Sequence, residues 1–274
     1  QSFTCKREIK MSRLNLTSLR KMKDEQNKIA MLTAYDASFA YALEQAGVDV
    51  ILVGDSLGMV IQGQESTLPV TVEDMIYHTR NVVRGSEKVF VIADMPFMSY
   101  ANVEQAISNA ARLMAEGGAQ MVKLEGGAVV ADTIKQLTQR GIPVCAHLGL
   151  LPQSVHRLGG YRVQGRDDSS AQQLIDDAQA LEQAGADIVV LECVPADLAE
   201  RVTAAVTIPV IGIGAGADCD GQVLVLYDML GLTPGKRPRF SHDFLAETGA
   251  IPAAIAKYVH DVKSGDFPNQ EQQY

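Results

Sequence analysis

The 274-residue chain predicts an α/β protein, a (β/α)8 TIM barrel, on three observations. One unit is written three times, at 43–54, 113–125 and 181–192; in each copy a helical stretch stops on a glycine (Gly47, Gly118, Gly185) and runs straight into an apolar strand. The copies lie about 70 residues apart, the length of two βα units of a parallel fold. Apolar, β-rich runs alternate with amphipathic helical runs from one end of the chain to the other, and most of the apolar runs are unbroken, as strands covered on both faces are.

In chain order, residues 12–26 predict a helix that covers the bottom of the barrel. The strands are expected near 29–34, 48–54, 89–95, 119–126, 143–149, 186–193, 209–215 and 223–230. Helices are expected at 36–45, 71–84, 102–116, 129–140, 169–183 and 197–205, and the second of these opens Thr71-Val72-Glu73-Asp74, a capping signature. Residues 244–263 read as C-terminal helices after the barrel. The stretch 149–169, which follows the fifth strand, is long and contains Gly159, Gly160 and Gly165. It reads as a lid over the mouth, the alternative being a plain surface excursion.

Composition bounds the function. Hydrophobic residues make up 47% and aromatics only 5%, which suits a Val, Ile, Leu and Ala core of ample size. The formal charge of −9 argues against nucleic acid or an anionic membrane as partner. No apolar run approaches the ~20 residues of a membrane span. Residues 1–10 precede Met11 and carry no apolar signal core, so they are expected to be an expression leader, with 11–274 forming one barrel domain. Cys5 falls in the leader; Cys145, Cys193 and Cys219 form no CxxC pair and fit a reducing cytoplasm better than a disulfide framework or a zinc site.

Catalytic groups of such barrels sit at the C-terminal ends of the strands. Asp55 ends the second strand, Asp94 the third and Glu125 the fourth. Magnesium takes oxygen ligands, commonly one or two carboxylates with waters and substrate oxygens, so these three make a candidate metal set. A lone carboxylate after a strand is otherwise a turn former or helix cap. Lys123 stands two residues before Glu125 and so shares its face. A lysine in an apolar strand avoids the helix-covered face, so it points into the mouth, toward a substrate anion or a structural ion pair. His147, near the end of strand five, is either a hydrogen-bonded core residue or a substrate contact. Glu192 stands where Glu125 stands in its copy of the repeat, which turns it inward too; its strand has Val190 where the other has Lys123. Without a basic neighbour in its strand, Glu192 is expected to keep a raised pKa, as a general base needs. The run Gly212-Ile213-Gly214-Ala215-Gly216 has GxGxG spacing and follows a seventh strand, so it is not read as a dinucleotide fingerprint.

Taken together, Thr33-Ala34-Tyr35-Asp36, Val53-Gly54-Asp55-Ser56, Asp94-Met95-Pro96-Phe97, Lys123-Leu124-Glu125-Gly126-Gly127 and Ala146-His147-Leu148-Gly149-Leu150 resemble the 3-methyl-2-oxobutanoate (ketopantoate) hydroxymethyltransferases. The resemblance runs from about residue 28 to 244 and leaves out the leader and the tail, 265–274. It implies a Mg²⁺ enzyme of pantothenate biosynthesis that carries a one-carbon unit from 5,10-methylenetetrahydrofolate to 3-methyl-2-oxobutanoate. It further implies Asp55, Asp94 and Glu125 at the metal, Asp55, Ser56, Asp94 and Lys123 at the oxo acid, Glu192 as proton acceptor, and a homo-oligomer, typically a decamer. The nearest alternative is a Mg²⁺-dependent lyase of the phosphoenolpyruvate mutase and isocitrate lyase kind, for whose reactive loop acid or cysteine the 159–168 loop and Cys219 offer no clear candidate. A more distant one is a non-catalytic binding barrel.

Overall fold

A computed structural model describes residues 13–274; the expected leader, 1–10, lies outside the described residues. Eight parallel strands close into a barrel in simple sequence order, the last pairing with the first. Helix α1 (Leu16–Asp24) precedes β1 (Ile29–Thr33), and then α2 (Ala37–Gln45), β2 (Val50–Val53), the single turn α3 (Leu57–Val60), α4 (Val72–Arg84) and β3 (Phe90–Asp94) follow. The chain continues through α5 (Val103–Ala115), β4 (Met121–Glu125), α6 (Ala131–Thr138), β5 (Val144–Gly149), the short α7 (Val155–Leu158) and α8 (Asp168–Gln183). It ends with β6 (Ile188–Glu192), α9 (Ala196–Ala205), β7 (Val210–Ile213), β8 (Gly221–Leu224), α10 (Leu226–Met229), α11 (Phe244–Thr248) and α12 (Ile251–Ser264).

Local chemistry explains most boundaries. Asp36 accepts a hydrogen bond from the Phe39 amide and starts α2. Thr71 and Asp74 close a capping box at α4. The repeated glycines, Gly47, Gly118 and Gly185, all have positive φ, which lets each helix reverse directly into its strand. Helix α1 does cross the bottom of the barrel. Lys23 of α1 donates to the carbonyls of Thr203, Val206 and Ile208 and to Asp220, at the N-terminal ends of β7 and β8, while Arg20 pairs with Asp187 at 2.6 Å below β6.

One expectation needs correction. The eighth strand is Gly221–Leu224, not 223–230, and Leu226–Met229 is helical. A short apolar run does not distinguish a buried strand from a buried helical turn. The strand's first half, Gly221 and Gln222, lacks an apolar signature, yet Gln222 is buried and donates to the Gly216 carbonyl at 2.8 Å. As expected, 244–263 forms C-terminal helices; they break at Gly249, in left-handed conformation, before Pro252 opens α12. Helix α12 packs against β1 and β8, completing the outer ring over the closing seam, where the Tyr258 hydroxyl lies 2.8 Å from the Met31 carbonyl and 3.0 Å from that of Gln222. In the loop after β5 a 3-10 turn, Pro152–Ser154, runs into α7.

Candidate active site

At the C-terminal mouth a cavity of about 1010 Å³ is lined by Asp55, Ser56, Asp94, Lys123, Glu125, His147 and Glu192, so every residue singled out by the sequence reaches one space. All but Ser56 and Glu192 are buried.

The deep wall is built by β2, β3 and β4. Lys123 stands beside Asp94 in strand register, and its Nζ lies 2.6 Å from Asp94 Oδ1. The other Asp94 oxygen accepts from the Asp55 amide at 2.9 Å. Gly54 makes this possible: a Cβ there would stand 2.8 Å from Ser56 Oγ and 3.4 Å from Asp94 Oδ2. Ser56 Oγ sits 2.8 Å from the Tyr35 hydroxyl, which in turn donates to Thr33 Oγ1 at 2.9 Å.

One residue that sequence reasoning missed organises this wall. Gln153, in the 3-10 turn after β5, is buried and donates its side-chain amide to Asp55 Oδ2 at 2.8 Å and to the Met95 carbonyl at 3.0 Å. Its backbone amide donates to Glu125 Oε2 at 3.1 Å, and its side-chain Oε1 accepts from the Tyr100 hydroxyl at 2.5 Å. The available signal was Leu151-Pro152-Gln153, a proline-started turn placed directly after a barrel strand.

The electrostatics follow from burial. Burial raises the Asp55 pKa well above the usual carboxylate range, with the charges of Asp94 and Glu125 adding to it. Burial alone pulls Lys123 down, but Asp94, Glu125 and Asp55 outweigh it and hold the ammonium charged. For His147, burial and Lys123 push downward and the contacts to Glu125 and Glu192 prevail, raising its pKa to about 9.

The opposite wall carries Glu192 at the end of β6. It has a basic partner after all: His147 Nε2, from the neighbouring strand, is 3.1 Å from Glu192 Oε2, and His147 Nδ1 is 3.6 Å from Glu125 Oε1. The expectation of an unpartnered glutamate considered only its own strand, whereas a twisted sheet brings β5 side chains to it. His147 is therefore the bridge between the two glutamates rather than a plain core residue. Gly149 is required beside them, with φ of 87° and a geometry in which a Cβ would collide with the Glu192 carbonyl.

Three buried carboxylates face one buried ammonium on the deep wall, an excess of negative charge that a divalent cation would neutralise. Asp55 and Asp94 supply the two carboxylates a Mg²⁺ commonly uses, so the residues fit the ion. Their oxygens and those of Glu125 are spread around Gln153; among the described residues only His260, Asp261 and Asp266 bring three such ligand atoms within 4.8 Å of one another.

Comparison with known proteins agrees with this architecture. Residues 13–270 match the family model described as ketopantoate hydroxymethyltransferase. The chain belongs to this family. It is 65% identical over 264 residues to the 3-methyl-2-oxobutanoate hydroxymethyltransferase of Nitrosococcus oceani, covering 96% of this chain and 100% of that one. It is 60% identical to the enzyme of that name from Shewanella loihica, over 95% of this chain and 98% of the relative. Among solved structures, a phosphonopyruvate hydrolase in complex with oxalate and Mg²⁺ superposes with a TM-score of 0.61 at 15% identity, over 94% of this chain and 92% of that one. A 2,3-dimethylmalate lyase, of the phosphoenolpyruvate mutase and isocitrate lyase superfamily, superposes at 0.56 with 20% identity, over 79% and 82%. These two share the hydroxymethyltransferase family's barrel, and at such identities the likeness is one of fold alone. Among the described residues no helix is long and apolar enough to cross a membrane.

Proposed function

We propose that the chain transfers a hydroxymethyl group from 5,10-methylenetetrahydrofolate to 3-methyl-2-oxobutanoate, giving 2-dehydropantoate for pantothenate biosynthesis. The observation that carries this reading is the division of one cavity into an anionic wall with a buried lysine and a separate glutamate facing it.

Asp55 and Asp94, with Glu125 completing the anionic wall, would hold a Mg²⁺ ion, which would supply Lewis-acid polarisation of the 2-oxo acid. Lys123 holds positive charge where the substrate's carboxylate and developing enolate lie. Ser56, fixed by Tyr35, lies against the same acid. Glu192 takes the C3 proton, with His147 holding the carboxylate in place. Water adds to the donor's methylene carbon, whose C–N bonds break to release tetrahydrofolate and leave the one-carbon unit as an aldehyde; the C3 enolate carbon adds to that carbon, and the resulting alkoxide takes up a proton to give the hydroxymethyl group. The segment 149–169 closes over the bound acid. The same reading takes residues 11–274 as one domain, working in the cytoplasm as a homo-oligomer, typically a decamer.

The test is to incubate the enzyme with Mg²⁺ and 3-methyl-2-oxobutanoate in D₂O, with and without the folate, and to follow C3 by NMR. Exchange without folate and 2-dehydropantoate with it are expected. An enzyme that does neither sinks the reading.

A further inference from the structure

The cavity is polarised along its depth. Its lining carboxylates, Asp55, Asp94, Glu125, Glu192 and Asp228, are buried or half-buried. Its outer lining carries five cations instead: Arg162 and Arg166 from the segment after β5, and Lys236, Arg237 and Arg239 from the segment after α10. All five are exposed, on a chain whose net charge is −9. Two are engaged: Arg237 pairs with Asp243 at 3.2 Å, and Arg239 donates to the Glu271 carbonyl at 3.0 Å with its guanidinium over the Tyr274 ring. Arg162, Arg166 and Lys236 make no side-chain hydrogen bond or ion pair with any described residue. Five cations that converge on one opening repel one another, and nothing in the proton-transfer chemistry at the bottom of the cavity uses them. Tyr161, Phe240 and Tyr274 line the same cavity and give it aromatic surface.

We propose that this rim is a subsite for an oligocarboxylate chain, the γ-linked glutamate tail of the folate donor, with the donor's ring system lying across the aromatic surface and its one-carbon unit directed inward. The inference rests on the folate reading given above. Depth and rim then recognise opposite ends of two ligands. The small oxo acid binds where carboxylates, a lysine and the metal converge, and the long donor is held by its tail at the solvent edge. Each additional glutamate adds a carboxylate for the guanidinium and ammonium groups to pair with, so affinity for the donor grows with tail length. Because the pairs are exposed, that gain is screened by salt.

Steady-state KM is measured for mono- and triglutamyl 5,10-methylenetetrahydrofolate in the wild-type enzyme, in Arg162→Ala/Arg166→Ala and in Arg162→Lys/Arg166→Lys. The triglutamyl donor is expected to have a KM lower by about tenfold in the wild type, the sum of several exposed pairs. That ratio should fall toward one in the alanine pair, and in the wild type at ~0.5 M salt, and should be largely retained in the lysine pair. A wild-type ratio of one, or a ratio unmoved in the alanine pair, overturns the subsite while leaving the hydroxymethyl transfer standing. An enzyme that turns over neither donor and does not exchange C3 overturns the underlying reading, and the subsite with it.

Discussion

Glu125 and Glu192 occupy the same place in the repeated unit, seven residues beyond Gly118 and Gly185, yet their surroundings differ. Glu125 accepts from the Gln153 amide, has Lys123 two residues before it on its own strand, and has a side chain only 4% exposed. Glu192 touches His147 and keeps a side-chain exposure of 13% toward the cavity. In the first copy of the unit, Gly54 holds this place, and the room it leaves is where Asp94 accepts the Asp55 amide. One backbone position therefore serves three ends: space for a carboxylate pair, a glutamate held by a backbone amide, and a glutamate open to the cavity. Neighbouring strands set these differences. Gln153 and His147 both come from β5 or the turn after it, and they bind the two glutamates in different ways.

The largest expected effect separates the anionic wall from the opposite glutamate. Treatment with EDTA should abolish product formation, and added Mg²⁺ should restore it, because three buried carboxylates beside a single lysine need a further cation to bind an anionic substrate. Full activity in demonstrably metal-free enzyme would remove Asp55 and Asp94 from the metal role and leave them as partners of Lys123 and Gln153 alone.

Next in size is the contrast between the two glutamates themselves. A positioned general base contributes about 10²–10⁴-fold. Glu192→Gln keeps the shape but cannot accept the proton, so it should lose folate-independent C3 exchange and product formation together by about that factor while still binding Mg²⁺ and oxo acid. Glu125→Gln should act differently, weakening metal and oxo-acid binding first. If Glu192→Gln exchanges C3 at the wild-type rate, Glu192 is not the base, and His147, which touches both glutamates, becomes the next candidate.

Repetition made much of this arrangement legible in the sequence. The glycine-to-strand reversal fixes where each strand ends, and period-two alternation puts Lys123 and Glu125 on one face. What escaped was carried by contacts between strands or by polar residues without a pattern. The His147 to Glu192 contact crosses from β5 to β6, and spacing within one strand contains no information about it. Gln153 lies in a turn whose importance comes from what its amide groups reach, 98 residues away in the case of Asp55. The start of β8 escaped because glycine and glutamine carry weak strand propensity, and its supposed second half because Leu226 and Met229, three apart and both buried, satisfy a helical turn equally well.

The smallest expected effect concerns the segment 149–169, whose two ends hang on the peptide groups at and just after Glu192. The Leu150 amide donates to the Glu192 carbonyl at 2.8 Å, and the Gln164 amide donates to the Cys193 carbonyl at 2.9 Å. Cys193 itself has φ of 48°, a left-handed conformation unusual for a side-chain-bearing residue. Between these anchors Gly159 and Gly160 also have positive φ, and a Cβ at either would meet nothing within 4 Å. The two glycines thus sit in open space while the segment is tied on either side of them to the end of β6. At its tip the Tyr161 hydroxyl donates to the Met59 sulfur at 3.8 Å, across the mouth. A lid of this build closes when ligand gives its tip something to pack on. Trypsin cleavage after Arg162 or Arg166 should accordingly slow by roughly threefold or more when Mg²⁺ and 3-methyl-2-oxobutanoate are both present, since cleavage follows the population of the open form. Either one alone should give less protection, because the anionic wall needs the cation before it can hold the anionic oxo acid. Cleavage at one rate under all four conditions would make the segment a surface excursion, and the two carbonyl anchors would then serve only to hold Glu192 in place.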